Sequence, residues 1–450
     1  MLDFEHAPIT LTQQNVPVVA KSDVVVVGGG PAGVTAAISA ARNGCSVTLI
    51  ERYHHLGGMA SGGMVLVLDD MCNDGEITTT GIVDEYVETM KSENGAVYPP
   101  PEDRLQSHEM WRKWSRWGCH DFRSTQDPMP IVYAVAFDPD AWKRASLKLV
   151  KEAGVNLRLH SWFSDAIVED GKVKAIIVQT KTGRQAILAD VFIDASGDLD
   201  LAIAAGAKYS KGQYIVTTVF RLSNVDTVAV DKFQYECPEE YRKIDRQARR
   251  IIGGAWDMWW LKTPLPGVVW CNCPHMPGYD GISVEDNTNA EYEGRRRMWA
   301  LYEFVKANMP GFEKCHMLGA AEQVGVRQTR QLVGEYVVTK DDVTSRRYFE
   351  DTVCRGRDYY TPYRALLPKG IDNLIVAGRH YSAESEAQKM SREIPPCMVQ
   401  GEASGVAASL ALNGNLAFRD VDPKAIQKKM RAQNADPGDK PSENAGKRVT

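Results

Sequence analysis

At 450 residues, with 44% hydrophobic and 25% charged residues, the chain has a globular composition and too many residues for one simple core. Its formal net charge of −5, from 53 Lys and Arg against 58 Asp and Glu, argues against a general nucleic-acid or anionic-membrane surface. Nine cysteines without framework spacing fit free thiols in a reducing compartment. No charged-then-apolar leader and no membrane-length apolar run is read, so a cytoplasmic enzyme is the expectation.

Taken in order, residues 1–22 are polar and unpatterned, and an arm on the surface is expected there. Residues 23–52 then read as one unit, DVVVVGGGPAGVTAAISAARNGCSVTLIER. Four valines suit a strand buried on both faces, and Gly28-x-Gly30-x-x-Gly33 follows at once. Gly28 permits a tight strand-to-helix turn, Gly30 lets backbone amides approach a pyrophosphate, and Gly33 lets the helix sit close to the sheet. A second strand ends at Glu51, whose carboxylate can accept hydrogen bonds from a ribose. The strand before, the helix after and the acid at that distance make this a dinucleotide site.

Glycines 57, 58, 62 and 63 follow in a loop expected against the cofactor. Residues 80–90 read as a helix, and Tyr98-Pro99-Pro100-Pro101 as a break. Residues 137–153 read as an amphipathic helix capped by Asp138 with Pro139 in its first turn. Strands are predicted over 155–160, 165–169, 172–180 and 184–188, with turns at Asp170-Gly171 and Thr182-Gly183. Residues 189–198 form a further buried strand running into Ser196-Gly197-Asp198. A strand at 215–222 and helices over 236–252 and 289–307 follow, then Arg327 and Arg330 at spacing three. Residues 373–378 make a third buried strand ending in glycine, and Arg379-His380-Tyr381 succeeds it. Two prolines then open a small-residue helix within 392–412, whose positive end is expected to face the cofactor. Everything after about residue 418 is polar and reads as a frayed tail.

Three buried strands ending in glycine or acid turns imply one cofactor domain assembled from separated segments. The fold expected is α/β: a Rossmann-like FAD/NAD(P)-binding domain (1–65, 131–209 and 320–420), an inserted α+β substrate domain (66–130 and 210–319) and a polar tail (421–450). A third nucleotide-side strand and a closing helix favour a flavin over a nicotinamide alone. Together GGGPAGVTAA, ER-x4-GGMAS, the ASGD turn, GVRQTRQLVGEY, PYRALLPKG, NLIVAGR and IPPCMVQGEASGVAA resemble FAD-dependent oxidoreductases with a glutathione-reductase-type FAD domain. The likeness is to the branch carrying GVRxTRxxxGEY. It implies that Gly28, Gly30, Gly33, Glu51, Arg52, Gly58, Asp198, Gly378 and Gly401 line FAD. Their neighbours Pro31, Ala32, Met59, Ala60, Ser61, Ser196, Gly197 and Arg379 are expected to complete the site.

Hydride chemistry at a flavin needs a proton donor or acceptor and an oriented substrate. His380 is the first candidate base, with a satisfied structural histidine as the alternative, and His55 and Tyr381 come next. His54 and His55 are also candidates for a covalent flavin link, although non-covalent FAD is the expectation. Arg327 and Arg330 either hold a carboxylate or the reduced flavin ring, or form ion pairs with Glu322, Glu335 or another acid. Cys271-x-Cys273-x-His275 lacks a second ligand half, and no metal is expected. Tryptophans 111, 114, 117, 256, 259, 260, 270 and 299 either wall a ring-bearing substrate or fill a core.

The expected function is FAD-dependent oxidation of a small, ring-bearing organic molecule at a C–H beside a hydroxyl, amine or carbonyl, with oxygen or a protein as acceptor. Reduction of an activated C=C bond is the alternative, and an electron-transfer subunit of a larger complex is the alternative of another class. No nucleic acid or membrane partner is expected, and a homo-oligomer is allowed for.

Overall fold

The computed structural model describes residues 14–73, 75–255, 258–357 and 359–448. Residues 1–13 of the expected arm, and Trp256, lie outside the described residues. Strand β1 (Val18–Val27) leads into helix α1 (Pro31–Arg42) and strand β2 (Val47–Ile50). Helix α2 (Pro139–Glu152) and strands β3 (Asn156–Arg158), β4 (Trp162–Glu169), β5 (Lys172–Thr180) and β6 (Gly183–Asp194) follow. Much later come β7 (Leu374–Val376), helix α3 (Ile394–Gly414) and helix α4 (Pro423–Ala432).

These strands form one sheet in the order β3-β2-β1-β6-β5-β4, with β7 on the far half of β6. β3, β2, β1, β6 and β7 pair in parallel, whereas β4, β5 and the first half of β6 form an antiparallel meander. Asp170 and Gly171 both take positive φ (50° and 71°), as a two-residue hairpin turn requires. β6 runs unbroken through the 188/189 division expected from sequence, because its first residues pair with β5 and its last with β7. The expected polar arm is likewise shortened, since residues 18–22 already belong to β1 and pair with β6.

The valine run is buried on both faces. Val24 and Val26 enter the core beneath α1 and α3, and Val25 and Val27 enter the opposite one with Ile176, Val178 and Phe192. Each such side chain contributes roughly 1.5–3 kcal/mol when buried. α3 is enclosed almost all round and lies against α1 through small residues, so the backbones nearly touch. Thr35 Oγ1 donates to the Met398 carbonyl at 2.7 Å and Ser39 Oγ to the Glu402 carbonyl at 2.8 Å across this contact.

Residues 220–315 build a second core around Phe220, Trp259, Trp260 and Phe312, beside the helix Val284–Asn308. The expected helix over 236–252 is Pro238–Ile252, and a helix not expected from sequence, Thr227–Glu236, precedes it across Cys237. By contrast, Leu66, Met71, Tyr86, Trp114 and Val135 join the principal core with α1 and α3. Arg116 ties the two bodies, donating to the Trp260 carbonyl at 3.1 Å and to Gln234 at 2.7 Å.

The frayed tail is a correction. α4 buries Ile426 and Met430, four residues apart, and Gln427 donates to the carbonyls of Glu350 and Thr352. Further on, Tyr348 donates to the Asp439 carbonyl at 2.9 Å.

Candidate active site

The cofactor side is a cleft at the carboxyl ends of β1, β6 and β7. Gly28 turns the chain with φ 104°, and a Cβ there would stand 2.4 Å from the Ala195 carbonyl oxygen. Glu51 fixes that turn: its Oε2 accepts from the Gly29 amide at 2.8 Å and its Oε1 from the Tyr53 amide at 2.9 Å. Gly30, Pro31 and Ala32 present the positive end of α1 to the cleft, and Ile394 and Cys397 present that of α3.

Of the residues named from sequence, Gly28, Gly30, Pro31, Ala32, Glu51, Arg52, Gly58, Met59, Ser196, Gly197, Gly378, Arg379 and His380 line this cleft. Gly33, Ala60, Ser61, Asp198 and Gly401 stand behind it. Gly33 and Gly401 are contact points for α1, while Ala60 is core and Ser61 donates to the Leu56 carbonyl at 2.7 Å. Asp198 accepts from Thr329 at 2.7 Å and Arg379 at 2.8 Å. Burial opposes its ionisation, but Arg379 and Thr329 hold its carboxyl below the usual range. Asp200 next to it is pushed up to about 6 by burial and by Asp198 and Asp194.

The sequence reading missed Ser161, Trp162 and Phe163 in the lining, as well as Gln323. The first three leave β3 beside Glu51, so their place follows from sheet order, which no local motif announces. Arg52 lies over Trp162, 5.2 Å from the ring centroid, within cation–π reach.

Among the candidate catalytic residues the structure divides sharply. His380 is buried, its Nε2 3.1 Å from the Asp194 carbonyl and 3.3 Å from Asp194 Oδ1. Tyr381 is enclosed in the principal core, its hydroxyl 2.6 Å from Ser391 Oγ. His55 turns away to Glu322 at 2.5 Å, and Lys143 holds the same carboxylate at 2.7 Å. His54 is largely exposed at 4.0 Å from Glu322. Arg330 takes the ion-pair alternative, donating to the Asp198 carbonyl at 2.7 Å and pairing with Asp200.

Arg327 lines a second cavity of 540 Å³. This chamber and the cleft share Met59, Arg379, Arg392 and Ile394 as a common wall. Its size matches sites for small organic molecules. Among the described tryptophans proposed as walls, Trp270 lines it, whereas Trp259 and Trp260 pack on Phe312 in the second core and Trp299 is half exposed. Cys271 and Cys273 are buried thiols, with burial raising both well above the usual range.

A family model described as FAD dependent oxidoreductase matches residues 23–360 and 355–430. The chain belongs to the FAD dependent oxidoreductase family. It is therefore an FAD-dependent oxidoreductase, and FAD is its cofactor. The cleft fits that cofactor: two helix N-termini converge on it, and nothing stands within 4 Å of a Cβ built on Gly30. His380 Nδ1 and Arg379 Nε, both in its wall, have no hydrogen-bond partner among the described residues.

An NADH oxidase of Thermoanaerobacter brockii is 63% identical over a 38-residue stretch, 8% of this chain and 6% of that protein's length. Among solved structures, p-nitrophenol 4-monooxygenase PnpA from Pseudomonas putida DLL-E4 is 12% identical with a TM-score of 0.51, over 92% of this chain and 85% of that one. A geranylgeranyl bacteriochlorophyll reductase-like protein from Thermoplasma acidophilum is 18% identical with a TM-score of 0.47, over 92% and 83%. The monooxygenase likeness is one of fold. No helix among the described residues of this oxidoreductase is long and apolar enough to cross a membrane.

Proposed function

We propose that the oxidoreductase holds FAD non-covalently in the cleft and oxidises a small organic molecule in the adjoining chamber. The C–H bond that loses hydride lies beside a hydroxyl, amine or carbonyl, and oxygen or a protein takes the electrons. The observation that carries this reading is the wall shared by cleft and chamber at Met59, Arg379, Arg392 and Ile394. Bound FAD supplies the two-electron acceptor for the hydride. Gly28, Gly30 and the start of α1 hold its pyrophosphate, and Glu51 and Arg52 its adenosine end. Non-covalent binding is supported by His55, which is engaged with Glu322, and by His54 in solvent. Assignment to the glutathione-reductase-type branch is supported by GVRQTRQLVGEY, which sets Arg327 in the chamber and Arg330 behind the Asp198 turn.

His380 is the histidine of the cofactor side in this reading. Its Nε2 faces Asp194, and its Nδ1, in the cleft wall, has no hydrogen-bond partner among the described residues. The base for the substrate proton is His120, which lines the chamber.

A second reading, reduction of an activated C=C bond, is favoured by Asp69, also on the chamber. Burial and the charges of Glu393 and Asp70 raise its carboxyl well above the usual range, as suits a proton donor. Anaerobic mixing separates the two. Bleaching of the oxidised flavin by an alcohol or amine supports oxidation. If chemically reduced enzyme is reoxidised by enones or fumarate-like acids and no donor bleaches it, the second reading replaces the first. Turnover of the purified chain with an artificial acceptor weighs against a role as an electron-transfer subunit.

A further inference from the structure

Three of the chain's nine histidines gather where the glycine loop after β2 meets residue 322, outside the linings of the cleft and the chamber. The rings of His54 and His55 stand edge to face with centroids 4.8 Å apart, and His160 lies alongside His54 at 6.4 Å. His55 Nε2 is 2.5 Å and His54 Nε2 4.0 Å from the same oxygen of Glu322, Oε2. His54, His55 and Glu322 each offer one ligand atom, and these atoms all lie within 4.8 Å of one another. No other group of three metal-ligating side chains gathers this closely among the described residues.

The surrounding structure fixes one of the three and leaves two adjustable. His55 is buried, and its Nδ1 lies 3.4 Å from the Leu56 carbonyl and 3.3 Å from Ser61 Oγ. The ring is thus braced from behind with Nε2 turned to Glu322, and such backing of the second ring nitrogen is the usual support of a histidine that ligates a metal. Glu322 is anchored through its amide, which donates to the Gly62 carbonyl at 2.9 Å. Its other oxygen, Oε1, accepts from Lys143 at 2.7 Å, and Asp140 Oδ1, 3.5 Å from the same ammonium, shares that charge. A tetrahedral ion bound at about 2 Å spaces its ligand atoms about 3.3 Å apart. The separations of 2.5 and 4.0 Å straddle that spacing, and the exposed side chains of His54 and Glu322 can rotate to meet it while His55 stays in place.

Two imidazoles with one carboxylate suit zinc and its neighbours in the transition series, whereas magnesium and calcium prefer oxygen ligands throughout. We propose that His54, His55 and Glu322 bind a divalent transition-metal ion of the zinc class, with water completing its coordination. The ion clamps the glycine loop to residues 322–323. Gly58 and Met59 of that loop and Gln323 beside Glu322 line the cofactor cleft, so the clamp braces one of its walls.

The test is calorimetric titration of tag-free, FAD-loaded enzyme, first stripped of metal, with zinc and with magnesium ions, repeated on His54→Ala and Glu322→Gln. Both variants change exposed side chains, and circular dichroism checks their folding. Cobalt(II) in place of zinc reports the ligand type from its visible absorption. Zinc should bind once per chain, at least about a hundredfold more tightly than magnesium, and each variant should weaken it at least about tenfold. On heating, the zinc-loaded parent should release its flavin at a higher temperature than the metal-free parent. Zinc binding no tighter than magnesium, zinc affinity unchanged in either folded variant, or flavin release at an unaltered temperature would each overturn the proposal. So would a cobalt complex with thiolate charge-transfer absorption, which would put the ion at a cysteine such as the exposed Cys237. If a variant fails to fold, the preference for zinc over magnesium and the cobalt spectrum of the unaltered enzyme decide.

Discussion

Gly401→Ala tests how closely α1 and α3 must approach. A Cβ at position 401 would stand 2.1 Å from the Ala32 carbonyl oxygen and 2.3 Å from Thr35 Oγ1. Gly401 lies inside a helix, where propensity alone favours alanine by about 1 kcal/mol. Overpacking works the other way and costs roughly 1–3 kcal/mol. Displacing Thr35 also breaks its bond to the Met398 carbonyl, worth about 1 kcal/mol. The opposing terms leave a net loss of about 1–3 kcal/mol, despite the better helix former. Because Ala32 also lines the cofactor cleft, the strain should reach FAD as well. Urea unfolding followed by circular dichroism, with flavin fluorescence reporting release, measures both. A variant whose midpoint equals or exceeds that of the parent would show that the two helices do not meet so tightly, and the packing argument would be wrong.

Three further outcomes are expected. Burial pushes the Glu402 carboxyl up to about 7, so its contribution to stability is complete below pH 4.5 and is lost as pH rises towards 7. Glu402→Gln should therefore exceed the parent in stability at pH 8 by about 1–3 kcal/mol in urea titrations, with the gap closing below pH 4.5. Asp194 is the opposite case: burial opposes its charge, but bonds from His380, Ser196 and the Ala202 amide hold it below the usual range. That contribution is present above the unfolded value near 3.8 and lost in acid, so Asp194→Asn should cost about 1–3 kcal/mol at pH 7 and less at pH 3.5. Arg330→Ala should lower FAD occupancy, read from flavin absorbance, by releasing the Asp198–Asp200 turn that Arg330 holds.

The cofactor half of the molecule was the more legible half. Residues 23–52 carry strand, turn, helix and acid within one short span, and local sterics dictate their arrangement. The Asp138 cap was equally local, its carboxylate accepting from the amides of Asp140 and Ala141. What sequence could not convey was which distant side chains meet. Arg327 and Arg330, three apart, fitted either a shared clamp or ion pairs with acids, and spacing could not say that the short strand Arg330–Leu332 sends Arg330 to Asp200 while Arg327 enters the chamber. Arg392 lies in the common wall because α3 begins beside it. His55 had the right residue type and a neighbouring glycine loop, but Glu322, 267 positions later, claims its ring. The α4 helix escaped notice because two buried side chains in a lysine-rich segment make a weak periodic signal.

The contact between α1 and α3 also orders events in time. Thr35 and Met398 are 363 positions apart, so a ribosome that has just released α1 has yet to make the helix that covers it. Closing a loop of that length is entropically slow to be repaid, and chains emerge amino end first. Until α3 emerges, the small-residue face of α1 has no lid and the cofactor has only one helix N-terminus to bind. Flavin capture thus waits on the synthesis of α3. A nascent polypeptide stalled before residue 394 should leave the ribosome colourless.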